Sequence, residues 1–376
     1  MLVWYIFSVT LVHFGFGYFT ENNVCKNFSD YATIGFNKNC WYNPDVFSSE
    51  MLIAKRYGYP IKKYKVTSED GYIIALYRIP HNNTDLNTKR QPVLLHHGIG
   101  GQALFWMLKQ QNSLAFFLVN NGYDVWMATA RGSGQSRQHK YLTTDDPMYW
   151  NFSFHEMGVC DLPALVEFIA NTTGQKGNII YIGHSMGTTM SYVYASEKKD
   201  HASAHLKALI SLAPVAYMEY VSPLLKTSFL PFLVLERHLI KAGIYATGNS
   251  RAFQQIFYKI CSTHPSIVPC FMAMAIATGL SEDQEELPVF VSYFPSSISL
   301  KTLHHYIQIV TSRGRFQHFD YGLDNRRYYN SSLPPIYDLT EITLPVHLFV
   351  GQEDVLATEK DTAKLYNKLN PPEGRR

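Results

Sequence analysis

One pentapeptide constrains this chain more than any other feature: Gly183-His184-Ser185-Met186-Gly187, a G-x-S-x-G pattern. The apolar run Asn178-Ile179-Ile180-Tyr181-Ile182 leads directly into it, and a helix-like stretch leads out. A strand that enters, a sharp turn and a helix that leaves form the context in which such a serine is held in a strained backbone geometry. Its Oγ then stands exposed at the carboxyl end of a parallel sheet. The two glycines occupy positions where a Cβ would clash in so tight a turn. Ser185 is therefore the candidate nucleophile. The plainer alternative is a glycine-rich turn with a bystander serine.

The rest of the chain supplies strands and helices in alternation. Tyr64 to Thr67 and Tyr72 to Ile79 flank Ser68-Glu69-Asp70-Gly71, an Asp-Gly hairpin signal. Gln91 to Gly98 reads as a buried strand that stops at a glycine turn, and a helix is expected from about Ala103 to Asn120. Tyr123 to Thr129 is the next apolar strand, and Ala130 to Ser136 reads as a flexible loop. Leu162, Leu165, Val166 and Ile169 recur at helical spacing. A strand over Lys207 to Ala213 follows the serine helix. From about Pro214 to Arg315 the alternation stops; the segment is apolar, aromatic and mostly helical in period, and reads as an inserted cap. A strand returns at Leu344 to Val350, then the turn Gly351-Gln352-Glu353-Asp354, then a helix from about Thr358 to Leu369. Strands alternating with helices predict a mainly parallel α/β sheet wrapped on both faces.

Composition narrows the setting. Charged residues make up only 17% of the chain, against a usual quarter, so a large buried core is expected. The net charge of +3 and the lack of a basic stripe give no case for nucleic acid. The first 19 residues hold no Lys, Arg, Asp or Glu, and residues 1–17 resemble a removable secretory leader, with a retained anchor helix as the alternative. No later stretch is long and apolar enough to span a membrane. Asn27, Asn82, Asn151, Asn171 and Asn330 open N-x-S/T triplets, with Asn151 set among aromatics and expected to be buried. Cys261 and Cys270 could close a small loop in an oxidising compartment, and Cys25 with Cys40 is a second possible pair. Cys160 is left over and reads as a buried thiol. No Cys/His set has zinc-site spacing, and no metal or cofactor is implied.

Taken together, these motifs resemble the acid lipases, the α/β-hydrolase family of gastric and lysosomal acid lipase and their invertebrate relatives. The likeness runs from about residue 43 to the end of the chain. Glu69-Asp70-Gly71-Tyr72-Ile73-Ile74 is similar to the family's early hairpin, and Leu95-His96-His97-Gly98-Ile99 to its oxyanion strand. Phe152-Ser153-Phe154-His155-Glu156-Met157 and Asp161-Leu162-Pro163-Ala164 resemble the helix entry before the serine strand. Gly183 to Thr189 matches the family elbow except for Met186 in place of the usual Gln. Ala213-Pro214-Val215-Ala216 resembles the start of the cap, and Cys261 and Cys270 have the family's spacing. The resemblance implies a leader over 1–17, a core over 43–214, a cap or lid over 215–315 and a return to the core over 316–376.

The implied reaction is cleavage of a neutral-lipid ester, triacylglycerol or sterol ester, at a lipid–water interface through an acyl-serine. The implied setting is secreted or lysosomal. Acyl transfer needs a nucleophile, a base with an orienting carboxylate, and oxyanion donors. Asp354, on the turn after a late strand, matches the family's acid; Glu353 is its nearest competitor and Asp361 lies inside the last helix. The backbone N–H groups of Ile99 and Met186 are the expected oxyanion donors. His184 and His97 are expected to be structural. The family's histidine lies beyond one further strand, and no histidine follows His347. The expectation is thus a triad of Ser185 and Asp354 without its base, a fold short of its last core strand and helix, and a weak or inactive hydrolase. A non-catalytic lipid carrier on the same fold stays open, as does a short-chain esterase or acyltransferase.

Overall fold

Residues 22–80, 89–248, 251–278 and 284–369 are described by a computed structural model. The leader over 1–17 and the acceptor Asn82 lie outside the described residues.

Two strands, β1 (Val24–Cys25) and β2 (Cys40–Trp41), pair antiparallel near the amino end and are stapled by the Cys25–Cys40 disulfide. The main sheet is then built from β3 (Lys62–Thr67), β4 (Tyr72–Ile79), β5 (Pro92–His96), β6 (Asp124–Ala128), β7 (Gln138–His139), β8 (Ile179–His184) and β9 (Leu206–Leu212). Two short strands, β10 (Ala246–Thr247) and β11 (Ile298–Ser299), pair with each other elsewhere, and β12 (Val346–Phe349) returns to the main sheet. The spatial order is β12-β9-β8-β5-β6-β4-β3, with β7 pairing β4. The run from β12 to β6 is parallel, and the β3–β4 hairpin joins antiparallel at one edge.

Why the sheet carries helices on both faces is visible in its central strands. Side chains alternate across a strand. Leu94, Trp126, Ile179 and Tyr181 point into one core with helices Leu162–Thr173 and Met186–Glu197. Val93, Leu95, Val125, Met127 and Ile182 point into the other, with helices Glu50–Arg56 and Leu114–Asn120. Both β5 and β6 are buried along their whole length, as strands covered on two sides must be. The chain places β6 on one side of β5, then crosses back to lay β8 and β9 on the other. That reversal makes a crevice at the carboxyl ends of β5 and β8, the usual ligand site of an open parallel sheet.

Three expectations are corrected. The helix expected from Ala103 to Asn120 is two short 3-10 turns, Ala103–Met107 and Gln110–Asn112, before helix Leu114–Asn120. The break is local: Gln110 adopts a φ of 51°, outside the helical region. Cys160 is half-buried, not buried, and its thiol reaches Glu69 Oε1 at 3.5 Å. Asn151 is exposed, with its Oδ1 accepting from Lys301 Nζ at 3.1 Å.

Between β9 and β12 the chain leaves the main sheet. Helices Pro223–Lys241, Arg251–Cys261, Ile267–Thr278 and Leu287–Tyr293 follow, with Cys261–Cys270 bridging the middle pair. In the chain-entropy picture, closing so short a loop is worth roughly 2–3 kcal/mol. The amino-terminal segment packs on these helices: the Phe28 and Phe271 rings lie 4.8 Å apart, and Tyr293 Oη donates to Asp45 O at 2.6 Å. At the opposite edge of the sheet, β12 pairs with β9 alone among the described residues, and Phe349 on it is 58% exposed.

Buried histidines tie the fold's stability to pH. His305 stacks on Phe154 at 3.9 Å between rings, with Nδ1 against Ser153 Oγ at 3.0 Å and Nε2 against Gln317 O at 2.9 Å. Burial pushes its pKa down to about 3, that of His97 to about 3 and that of His96 to about 4. The unfolded chain takes up these protons near pH 6.5, and the folded chain resists them. The stability contributed by keeping these rings neutral is full above pH 6.5 and is lost as pH falls towards 4. Glu156 acts in the same direction. Burial alone would raise it, but Lys301, His155 and the Ser153 N–H bring it down to about 2, so its contribution fades below its ordinary value of 4.5. The expected result is a melting temperature that drops steadily from pH 6.5 to 4, at up to about 1.4 kcal/mol per buried ring per pH unit. His305→Gln should flatten that slope; an unchanged slope in thermal melts would contradict this account.

Candidate active site

At the end of β8 the backbone turns sharply. Ser185 sits at φ 51° and ψ −113°, a conformation a non-glycine residue holds only when its surroundings force it. The forcing neighbours are close. A Cβ on Gly183 would lie 2.7 Å from the Gly187 carbonyl carbon, and one on Gly187 would lie 2.5 Å from His96 O. Glycine is required at both positions, and the serine between them is pushed out. Ser185 N donates to Leu212 O at 3.0 Å, which fixes the turn to the end of β9. Helix Met186–Glu197 starts at the next residue.

The turn after β5 meets this elbow. A Cβ on Gly98 would touch Ser185 Cβ at 3.1 Å and His184 Nδ1 at 3.0 Å. Ile99 follows that turn and Met186 follows Ser185, and neither N–H donates to a backbone carbonyl among the described residues. The Met186 side chain is buried in the core. His97 braces the turn: its Nδ1 lies 2.7 Å from Gly98 O, and its Nε2 accepts from Ala130 N at 3.0 Å. Both ring nitrogens are occupied, the ring is buried, and it is kept neutral.

Asp354 follows β12. The carboxyl ends of β8, β9 and β12 lie side by side, with His184 opposite Leu212 and Leu212 opposite Phe349. Asp354 Oδ1 accepts from Leu356 N at 2.9 Å and Ala357 N at 2.8 Å, which fixes the carboxylate on its turn. Of its two competitors, Asp361 is buried and accepts from Glu219 N and Tyr220 N, far from a free role, while Glu353 is exposed. The charge of Asp354 reaches His184. That ring is open to water on the cleft side but hemmed in by protein elsewhere. The crowding lowers its pKa, and Asp354 partly offsets the drop. Among the described residues Ser185 Oγ makes no hydrogen bond with a histidine.

A cleft of about 290 Å³ opens beside the elbow, lined by Gly98, Phe105, Trp106, His184, Phe271 and Phe290 among others. Its walls are mainly apolar, which suits an acyl chain. One wall comes from the core and the other from helices Ile267–Thr278 and Leu287–Tyr293. No group of three His, Cys, Asp or Glu among the described residues is arranged to hold a metal ion.

Arg131 is the residue the sequence reading missed. Its loop was expected to be flexible, yet Ala130 to Ser133 are buried and the Arg131 side chain is fully so. The guanidinium pairs with Asp161 at 2.6 and 2.9 Å, with Asp70 at 2.5 and 2.9 Å, and lies 3.9 Å over the Tyr72 ring. Burial works against its charge, but the two carboxylates outweigh burial and keep it protonated. An arginine amid glycine and serine, downstream of an acidic hairpin turn, was the available signal.

The family model described as a partial alpha/beta-hydrolase lipase region matches residues 51–110, and the one described as alpha/beta hydrolase fold matches residues 91–238. Gastric triacylglycerol lipase of Rattus norvegicus is 36% identical over 337 residues, covering 87% of this chain and 84% of that protein. The gastric triacylglycerol lipase of Homo sapiens is 35% identical, covering 87% and 83%. Human lipase member N is 34% identical over 338 residues, again covering 87% and 83%.

Proposed function

Because the chain belongs to the acid lipase family of α/β-hydrolases, we propose that it cleaves carboxylic esters of neutral lipids, triacylglycerol or sterol ester, at Ser185. The observation that carries this is the strained Ser185 elbow, set against the Gly98 turn at the mouth of an apolar cleft. In this reading Ser185 Oγ attacks the ester carbonyl. The N–H groups of Ile99 and Met186 receive the developing oxyanion, and Asp354 is the carboxylate that would orient an imidazole set to take the serine proton, a place that none of the described histidines fills by a hydrogen bond to Ser185 Oγ. The alcohol leaves, and water then releases the fatty acid from the acyl-serine. Two disulfides fit an oxidising compartment, and a secreted or lysosomal destination follows from the family. Asn27, Asn171 and Asn330 are exposed and open to glycosylation.

A fluorophosphonate probe tests the site. The expected result is one label on Ser185, absent in Ser185→Ala, with the label blocked by a long-chain ester analogue. Binding of neutral lipid without any label on Ser185 would favour the carrier reading instead.

The segment over 215–315 acts in this proposal as a cap that meets lipid. Helix Arg251–Cys261 exposes Phe253, Ile256 and Ile260 at helical spacing, and its disulfide-linked neighbour exposes Val268 and Met272. On the preceding helix, Leu235 is exposed, and Phe232 and Leu233 are half-buried. A contiguous apolar face of this kind marks a contact surface. Ile256→Asp with Phe253→Asp is expected to weaken partitioning onto a triacylglycerol emulsion at least tenfold while leaving fluorophosphonate labelling in solution unchanged. Flotation assays that show equal partitioning would remove the cap from this role. No helix among the described residues is long and apolar enough to cross a membrane.

A further inference from the structure

Two strained residues that are not glycine stand side by side at the carboxyl end of the sheet. Ser185 has a φ of 51°, and so has Ala213. Each lies one residue past the same register pair of β8 and β9, His184 opposite Leu212. A left-handed backbone at an alanine persists only where neighbouring contacts fix it. Here the contacts come from both sides. Leu212 O accepts from Ser185 N at 3.0 Å, and Ala213 N donates to Phe349 O at 2.8 Å. The chain leaving β9 for the cap therefore passes between the serine turn and the strand that leads to Asp354.

The residues that follow are held by the helix that opens at the elbow. Val215 N donates to Thr188 Oγ1 at 2.9 Å, and Thr188 Oγ1 donates to Ser185 O at 2.6 Å. Val215 O accepts from Thr189 Oγ1 at 2.7 Å, and Thr189 Oγ1 accepts from Tyr306 Oη at 3.0 Å. A hydroxyl has one proton to donate, and each threonine spends it within this chain of bonds. Thr188 and Thr189 are buried. The Tyr192 hydroxyl, which donates to Ser211 Oγ at 2.7 Å, stands against Thr188 as well. Val215 opens the cap, and Tyr306 belongs to its last helix, Leu300–Thr311. Both ends of the cap thus hang on the two threonines just downstream of the nucleophile. A tether at one end would only hold the cap in place. Tethers at both ends, joined to the carbonyl of Ser185 itself, make the strained serine depend on where the cap sits.

We propose that Thr188, Thr189 and Tyr306 are positioning residues that tie the cap to the Ser185 elbow, so that the seating of the cap sets the reactivity of the serine. This rests on the reading of Ser185 as nucleophile and of residues 215–315 as the cap. Thr188 matters most, because its hydroxyl bonds both the Ser185 carbonyl and the first N–H of the cap. Removing that hydroxyl leaves the Val215 N–H buried without a partner.

Labelling of the full chain by a soluble short-chain fluorophosphonate, followed over a range of probe concentrations, tests this. Thr188→Val is expected to lower the maximal labelling rate of Ser185 about tenfold, with the half-saturating probe concentration unchanged. Thr188→Ser, which keeps the hydroxyl, should stay within about twofold of the parent. Thr189→Val and Tyr306→Phe should each slow labelling, and combining them should not multiply the two effects, since both break one chain of bonds. Melting curves confine the comparison to folded protein. Tyr306 is only half-buried, so its variant decides if Thr188→Val fails to fold. Labelling at the parent rate in folded Thr188→Val, or in Tyr306→Phe where Thr188→Val does not fold, overturns the proposal. So does a Thr188→Ser variant as slow as Thr188→Val. If the parent takes no label, the nucleophile reading fails by itself, and amide hydrogen exchange over residues 185–190 decides the tether. Faster exchange in Thr188→Val but not in Thr188→Ser then upholds it, and equal exchange in parent and variants overturns it.

Discussion

Ester hydrolysis by the 376-residue polypeptide is expected to be slow in plain buffer and to rise, saturably, when free imidazole is added. A serine hydroxyl is a weak nucleophile unless a base takes its proton as it attacks. The described imidazoles near Ser185 are poorly placed for that. His97 has both nitrogens engaged, on Gly98 O and Ala130 N, and is buried. His184 is the neighbour of Ser185 in the chain; its ring faces the cleft and feels the charge of Asp354, yet forms no hydrogen bond to Ser185 Oγ. Removing the base from a serine triad costs on the order of 10⁶ in kcat, and oxyanion donors with binding retain roughly 10³–10⁴ over water. Free imidazole is small enough to enter the cleft beside the Ser185 elbow and is expected to serve as that base. Hydrolysis of a p-nitrophenyl ester should therefore respond to imidazole in the parent chain, respond less in Asp354→Asn, and vanish in Ser185→Ala. Ordinary lipase rates without imidazole, abolished by His184→Gln, would assign the base to His184 and overturn this account.

What the sequence revealed and what it hid divide along a physical line. Elements specified by their own residues were legible. The Ser185 elbow needs a strand, two glycines and a helix, all contiguous, and β5, β6 and β8 announce themselves as short apolar runs. Asp354 could be placed because it follows such a run. The helix expected across Ala103–Asn120 failed where Gln110 turns left-handed, a choice its polar neighbours did not signal. Features built from distant segments were invisible. Asp70, Arg131 and Asp161 meet only because the hairpin, the loop after β6 and a helix start converge. The loop looked flexible because its glycines and serines are loop residues, and nothing local records that two carboxylates will clamp it. The packing of residues 22–48 against the cap helices depends likewise on contacts such as Phe28 with Phe271.

Replacing Arg131 with Met is expected to cost about 3–5 kcal/mol of stability and to weaken the site with it. Removing one member of a buried ion cluster leaves its partners charged and without compensation. Here Asp161 is 1% exposed and would have to ionise unpaired or take up a proton, while Asp70, about a third exposed, can turn partly to water. The loss should appear as a lower urea midpoint at an unchanged slope. Arg131→Lys should fall between, because an ammonium cannot serve two carboxylates with paired N–H donors as the guanidinium does. Adding Asp161→Asn to Arg131→Met should recover part of the loss, since the orphaned charge is then gone. The consequence for Ser185 runs through one hydrogen bond. Ala130, next to Arg131, donates its N–H to His97 Nε2, and His97 braces Gly98 beside the serine. Fluorophosphonate labelling should therefore slow in Arg131→Met even at temperatures where the protein is fully folded. A stability loss under about 1 kcal/mol, within the range of an exposed ion pair, would mean that the cluster contributes little and that the loop is held by its other contacts.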